Sequence, residues 1–595
     1  MIKKNKLALF GGSKTINYQL DKFNFIDQKE IESVNKVLKS GILSGFYANK
    51  NNFLGGKNVL LFENNIKKYF GTKYAVTFNS WTSGLIACVG ALNIEPGDEI
   101  ILPAWTMSAC AMSILHWGGI PVFSDIEDKT FNLDPNKIES KITKKTKAIM
   151  VVDIFGHPAD FESIKKISKK YKLKIIEDAA QSIGAKYKNK YVGTYSDLGG
   201  FSFNAHKHIQ TGEGGVVLTN NKYYAKKLQL IRNHGEAIVG HNKNELINMV
   251  GYNFRLTEID AAIGIEQLKK LKKIVNSRIT IAKKLSIGLK NLPFITIPKI
   301  QKNCTHSFYV YSLKIESKLL NIETKKIFKA LLKEGIPGLS FGYLNLNELP
   351  IFKKKIAYGS NKFPWSINKN YKNYKNFDYS KNILPITERL HNSDLIKIGL
   401  CRYNFDNKDV ALIIKAFKKV WEKLVIPSSK YHNLTIKILN KKKDVTLDWV
   451  NWLNDKEITK YSRQKKIKNT KKKQFDYLEK IKNSKYNLLY GIFLNNKHIG
   501  NIEFSKIDNR KKTCEIKFLM GEKKLWNKGL MSFAINKALN IIFSKYDLTS
   551  IYGGCNIHNI GSIKVFEKNL FKKVRINKNN IFFKLKKSNY KSFNQ

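Results

Sequence analysis

TKAIMVVDIFGHPADFESIKKISKKYKLKIIEDAAQ, residues 146–181, alternates strand, helix and strand. TKAIMVVDIFG is an apolar run of strand length, and ADFESIKKISKKY repeats its apolar residues at helical spacing. LKIIED is a second apolar run, closed by the carboxylate of Asp178. A helix that returns the chain to a second strand makes a parallel pair, and strands apolar along their whole length are those buried on both faces.

The alternation extends both ways. Upstream stand helix LLFENNIKKYF, strand YAVTFN, buried helix TSGLIACVGAL, strand PGDEIILPAWT, helix CAMSILHWGG, strand IPVFSDI and helix DPNKIESKI; downstream stands strand GGFSFN. The expected class is α/β, with a large mostly parallel sheet covered by helices on both faces. Ligands of such sheets gather at the carboxyl ends of the strands, so the ends of LKIIED and GGFSFN and the loop after YAVTFN should be neighbours.

After about residue 260 the pattern changes to a long helix, the strand-like HSFYVYSLKIE and the helix KKIFKALLKEGI, as in a smaller α+β lobe. The expected division is a large domain over 1–260, the small lobe over 261–425, a linker at 426–432 carrying Pro427, and a separate α+β domain over 433–595.

A net charge of +58 would suggest a nucleic-acid partner if it were gathered in a patch. The excess is lysine spread along the whole chain, as in NKNYKNYKNF, with arginine at only eight positions, so no nucleic-acid partner is expected. The six cysteines lack paired metal-ligand spacing, which predicts reduced thiols and no metal site. No apolar run approaches a membrane span and MIKKNKLALFGGSK is too short for a secretory signal, so the expected compartment is the cytoplasm.

FSFNAHKHIQTGEGG, residues 201–215, places Lys207 just after a strand end and five residues beyond Ser202. An amine, a strand-end carboxylate at Asp178 and the hydroxyl-rich loop NSWTSG (79–84) opening a helix are what an aldehyde cofactor with a ring nitrogen and a phosphate requires. Singly, each has a plainer reading: surface charge, helix cap, N-cap.

EDAAQSIGA (177–185), GTYSDLGGFSFNAHKHIQTGEGG (193–215), GALNIEPGDEIILPAWT (90–106) and GYNFRLTEIDAAIGIEQL (251–268) stand in the order seen in the DegT/DnrJ/StrS-type sugar aminotransferases, which this chain resembles over about residues 5–425. The resemblance implies a fold-type-I enzyme using pyridoxal 5'-phosphate and glutamate on a nucleotide-linked sugar. Lys207 would carry the cofactor as a Schiff base and move the proton; Asp178 would hold the ring nitrogen and Gln181 flank the ring. Thr82, Ser83 and Ser202 would hold the phosphate, and Asn253 would reach it from a neighbouring subunit, which implies at least a homodimer. Where relatives stack an aromatic on the ring, this chain has Met107, so either its thioether or Trp105 would cover the ring. Trp81 stands where relatives commonly have glycine. His206 and His208 are read as packing residues, or else as contacts to the sugar diphosphate. Lysine in place of the histidine of the related dehydratases implies transamination.

In the C-terminal domain, CEIKFLMGEKKLWNKGLMSFAINKAL (514–539) is a strand, a loop and a helix, and NIHNIGSIKVFEKNLFKKV (556–574) follows. Together they resemble acetyl-CoA-dependent N-acetyltransferases of the GNAT superfamily over about residues 433–580. The resemblance implies acetyl-CoA held by backbone amides around Trp526, Asn527, Lys528, Gly529 and Leu530, with Asn559 lining the cofactor arm. Met531 departs from the usual Gly or Ala, and Phe566 replaces the tyrosine that often serves as acid; Glu503 is a candidate base, or else an exposed strand carboxylate. The expectation is a bifunctional enzyme that aminates a nucleotide-linked keto-deoxy sugar and then acetylates the amine, for a surface polysaccharide. The alternatives are an acetyltransferase acting on another acceptor, and a C-terminal binding module without turnover.

Overall fold

The computed structural model describes residues 6–47, 53–235, 249–368, 378–380, 382–428, 433–462, 467–526 and 529–590. The chain divides into two compact units. The first comprises residues 1–290, 295–316 and 323–420, the second 291–294, 317–322 and 421–595.

The first unit opens with α1 (Gln28–Ser40), α2 (Lys57–Phe70), β1 (Tyr74–Phe78), α3 (Trp81–Ala91), β2 (Glu99–Pro103), α4 (Ser108–His116) and β3 (Ile120–Ser124). It continues with β4 (Thr146–Val152), α5 (Phe161–Tyr171), β5 (Lys174–Asp178), β6 (Lys186–Tyr187), β7 (Lys190–Tyr191), β8 (Leu198–Ser202), β9 (Gly215–Thr219), α6 (Lys222–Arg232) and α7 (Glu258–Leu289). Seven strands form one sheet in the order β1-β9-β8-β5-β4-β2-β3, and only β9 runs against the others. β2, β3, β8 and β9 are buried at every position, as continuous apolar runs predict for a sheet covered on both faces.

The smaller sheet is built from β10 (Ile295–Thr296), β11 (Val310–Ile315), β12 (Leu339–Phe341) and β13 (Leu395–Gly399), in the antiparallel order β10-β11-β13-β12. The helices α8 (Thr324–Lys333), α9 (Pro350–Lys353), α10 (Pro385–Arg389) and α11 (Asn407–Val420) belong to this part of the chain. α7 crosses residue 260, and Ala261 to Val275 on it pack in the same core as Phe62 of α2. A Cβ on Gly264 would lie 2.4 Å from the Phe62 ring, so the two helices meet through a glycine.

One expected helix is absent. Asp134–Ile142 forms two short 3-10 turns, Pro135–Lys137 and Glu139–Lys141, in place of an α-helix. Its buried side chains, Pro135 and Ile138, are three residues apart, which is the 3-10 period.

The second unit runs through β14 (Leu434–Ile438), α12 (Leu447–Asn454), α13 (Lys471–Lys482), β15 (Leu488–Leu494), β16 (Lys497–Asp508), β17 (Thr513–Met520) and α14 (Leu530–Lys545). It ends with β18 (Ser550–Asn556), α15 (Ile560–Lys568), β19 (Lys572–Ile576) and β20 (Asn580–Lys586). The seven strands form one sheet in the order β14-β15-β16-β17-β18-β20-β19, antiparallel throughout except for β17 and β18. Asn495 and Asn496 turn β15 into β16 at φ 49° and 63°, the left-handed pair of a tight hairpin. Among the described residues no helix is long and apolar enough to cross a membrane.

Two buried polar groups set stability in the first unit. Arg232, fully buried at the end of α6, donates at 2.6 Å to Glu63 of α2, which also accepts from the Thr77 amide and hydroxyl on β1. Around His157, His208 and His306 burial disfavours the charged imidazole, bringing His157 and His208 down to about 4 and His306 well below its ordinary value. Glu63→Ala strands the guanidinium, so the unfolding free energy is expected to fall by about 3–5 kcal/mol in a denaturant titration. The unfolded chain takes up a proton on each histidine below pH ~6.5 while the folded one does not, so their stabilisation is present above that pH and lost as it falls. The stability difference between wild type and His306→Gln should therefore shift against wild type by about 1.4 kcal/mol per pH unit below 6.5.

Candidate active site

The register of the large sheet gathers the chemistry at one edge. Gly215, first residue of β9, pairs with Phe78 at the end of β1 on one side and Ser202 at the end of β8 on the other. A Cβ there would lie 2.6 Å from the Trp81 nitrogen, so loop 79–84 and Ser202 are neighbours. Asp178 ends β5 and pairs with Gly200, two residues before Ser202.

In loop 79–84, Ser80 caps α3 by accepting from the Ser83 amide at 3.1 Å. The Ser83 hydroxyl donates to Asn79 at 2.7 Å, while Thr82 is exposed in the first turn. Ser202 accepts weakly from the Asn204 amide at 3.3 Å. Hydroxyls at a helix N-terminus form an anion cradle.

Asp178 is buried, and among the described residues its carboxylate is held by hydrogen bonds without an ion pair. Oδ1 accepts from the Trp81 indole at 2.7 Å and the Ala180 amide at 3.0 Å, and Oδ2 accepts from the Cys110 thiol at 3.0 Å. Burial beside this carboxylate keeps Cys110 a thiol, well above its ordinary value. Gln181 accepts from the Phe155 amide at 2.9 Å and donates to Tyr343 at 3.0 Å, which fixes its carboxamide.

Lys207 is 9% exposed, with Nζ 4.7 Å from the centroid of the Tyr309 ring. Burial pulls its ammonium below the ordinary lysine value, and the charge of Asp178 opposes the shift. The two groups therefore sense each other across the site. Its flanking histidines separate: His208 is fully buried and bonds through Nε2 to the Ser307 carbonyl at 2.9 Å, whereas His206 is exposed near Tyr309. Packing thus accounts for His208.

Of the two side chains weighed for ring cover, Met107 is 58% exposed at the start of α4. Trp105 is fully buried against Phe155 and Tyr343. Asn253 is exposed, its amide oxygen accepting from Arg255 at 2.8 Å, and its carbonyl lies 3.4 Å from the Asn79 amide of the same chain.

Several site groups carry no signal in the sequence. Tyr309 and Tyr343 come from the smaller lobe. Lys397 on β13 is a second buried amine, donating to the Gly342 carbonyl and brought by burial to about 8. Cys110 could have been found, since it lies one helical turn after Thr106 and their side chains meet at 3.2 Å. The donor set of a buried amine, a buried carboxylate and a hydroxylated helix start fits pyridoxal phosphate.

In the second unit β17 and β18 pair only through Thr513–Glu515 and Ser550–Tyr552; beyond these residues the ladder between them stops. β17 leads to Gly529, at φ 77°, and to Leu530, the buried first residue of α14. The Trp526 indole donates back to Met520 at 3.0 Å; Asn527 and Lys528 lie outside the described residues. Asn559 caps α15 by accepting from Ser562 at 3.0 Å. Met531 is buried, and Phe566 is a core ring stacked on Phe583 and packed on Phe518 and Phe571. Glu503 accepts from Tyr477 at 2.8 Å and Lys517 at 3.1 Å, so both its oxygens are engaged.

Comparison with known proteins agrees with this geometry. The chain is 36% identical over 286 residues to the GDP-perosamine synthase of Escherichia coli O157:H7, covering 48% of this chain and 74% of that one. It is 38% identical over 301 residues to the dTDP-3-amino-3,6-dideoxy-alpha-D-galactopyranose transaminase of Aneurinibacillus thermoaerophilus, covering 50% and 78%. A solved Helicobacter pylori aminotransferase involved in the biosynthesis of pseudoaminic acid superposes with TM-score 0.57 at 27% identity, over 69% of this chain and 100% of that one. The model of the DegT/DnrJ/EryC1/StrS aminotransferase family matches residues 25–391, and that of the acetyltransferase (GNAT) domain matches 434–572. Aminotransferases of the first family use pyridoxal phosphate. The chain therefore belongs to the DegT/DnrJ/EryC1/StrS aminotransferase family and carries a GNAT acetyltransferase domain behind it.

Proposed function

We propose that the first unit transfers an amino group from glutamate to a nucleotide-linked keto-deoxy sugar and that the GNAT domain acetylates the resulting amine, in the cytoplasm, for a surface polysaccharide. The carrying observation is the pair of a buried amine, Lys207, and a buried carboxylate, Asp178, at adjoining strand ends. Pyridoxal phosphate, when bound, supplies an electrophilic carbonyl and an electron-withdrawing ring. Lys207 Nζ, biased by burial toward the neutral amine, serves as the base that takes up and returns a proton. Asp178 holds a proton on the ring nitrogen, Gln181 is fixed beside the ring, and Thr82, Ser83 and Ser202 bind the phosphate with the N-terminus of α3. The exposed apolar side chains of Ile31, Leu38, Ile42, Leu43, Leu60 and Leu61 support a homodimer in which a second copy covers them and Asn253 enters the partner's site.

In the GNAT domain, acetyl-CoA fits the gap where the β17 and β18 ladder ends, with Gly529 and Leu530 amides at its pyrophosphate. Joined to an amine producer, an acetyltransferase works at a raised local concentration of product. The core placement of Phe566 and the paired state of Glu503 favour a second reading, an acceptor other than the amino sugar or a binding module.

Purified wild-type protein should show a visible absorbance band with pyridoxal phosphate. It should also form 2-oxoglutarate from glutamate with one of a panel of UDP-, dTDP- and GDP-linked 4-keto sugars. Lys207→Ala should lose both, and a wild-type protein that shows neither overturns the reading. Addition of acetyl-CoA to the full chain with its amino-sugar product should release free thiol; no release leaves only the second reading.

A further inference from the structure

We infer that Trp81 is a positioning residue for the cofactor, its side chain fixing Asp178 while its backbone forms the first turn of α3 in the loop that receives the phosphate. The inference rests on the pyridoxal phosphate reading above.

The indole donates to Asp178 Oδ1 at 2.7 Å, the shortest of the three bonds that the carboxylate accepts. A charge-assisted bond of this length is about twice as strong as a neutral one. An ionised carboxylate offers roughly four acceptor positions. Trp81, Ala180 and Cys110 fill three of them, which leaves one for a ring N–H.

The slot for the indole is built from glycine. A Cβ on Gly200 would lie 2.6 Å from Cζ3 of the indole, and one on Gly84 would lie 3.1 Å from Cε3. Gly200 is in register with Asp178, so the ring rests against the β8 backbone beside the carboxylate it holds. A Cβ at residue 200 would also lie 1.9 Å from the Val216 carbonyl of β9, so the strand backbone and the indole together leave room only for glycine.

Trp81 is also the first residue of α3, capped by Ser80. A shift of the phosphate loop therefore moves the indole, and a shift of the indole moves Asp178. The spacing between phosphate anchor and ring-nitrogen anchor is set within one residue. A tryptophan that only filled space would give no such coupling.

Trp81→Phe keeps an aromatic ring in the slot and removes the N–H. Asp178 then directs more of its charge at the cationic groups near it. In spectrophotometric titrations of the full chain, the dissociation constant for pyridoxal phosphate should rise about 10-fold. The pH midpoint of the cofactor's visible band should move up by about 0.5 unit. If the phenylalanine variant lacks a cooperative unfolding transition, Trp81→Met, which fills the slot with a flexible side chain and likewise has no N–H, replaces it under the same criteria. A wild-type protein that takes up no pyridoxal phosphate overturns the function reading itself. Wild type that binds, with a variant of unchanged affinity and midpoint, overturns the role of Trp81 alone.

Discussion

A carboxylate buried in a sheet core must be paid for by its neighbours, and Asp178 has no ion-pair partner among the described residues. It is held by an indole, a thiol and an amide, each from a different part of the first unit. Those donors converge because the strands are parallel, so β5, β8 and the start of α3 end at the same edge. Parallelism follows from the βαβ pattern, and that pattern follows from apolar runs joined by one amphipathic helix. The chain of cause therefore runs from residues 146–181 to a single polarised point.

Several buried groups of the first unit are held in their neutral forms. Lys207 and Lys397 are buried amines whose charged forms burial disfavours, and His157, His208 and His306 stay neutral for the same reason. The thiols of Cys110 and Cys401 stay protonated. In so dry a surrounding the field of one carboxylate is poorly screened, and Lys207 feels it directly. A formal charge of +58 over the whole chain says nothing of this, since it counts lysines spread along the sequence.

The strands and the place of Asp178 at a strand end were legible in the sequence because both obey local rules. A period of two or 3.6 survives in a single chain, and a polar residue closing an apolar run marks a strand end. What was not legible is contact across distance. Trp81 stood out in the sequence only as a departure from the relatives' glycine, because the glycine that makes room for it stands at residue 200, on another strand. Tyr309 and Tyr343 arrive from the smaller lobe with no marker of their own. Asp134–Ile142 failed for the opposite reason: its polar and apolar pattern suited a helix, but tertiary packing of Pro135 and Ile138 selected the tighter turn.

The C-terminal unit shows how far a motif and its chemistry can part. The fold supplies the break between β17 and β18 and the glycine that opens α14, and these need only backbone. Acid and base need particular side chains, and here Phe566 lies within an aromatic cluster while Glu503 is held by Tyr477 and Lys517. Burial, with the charge and hydrogen bond of Glu503 beside it, pushes the Tyr477 phenol far above its ordinary range, so the proton stays on the tyrosine. In this unit the backbone follows the GNAT pattern, while Glu503 is tied to Tyr477 and Lys517.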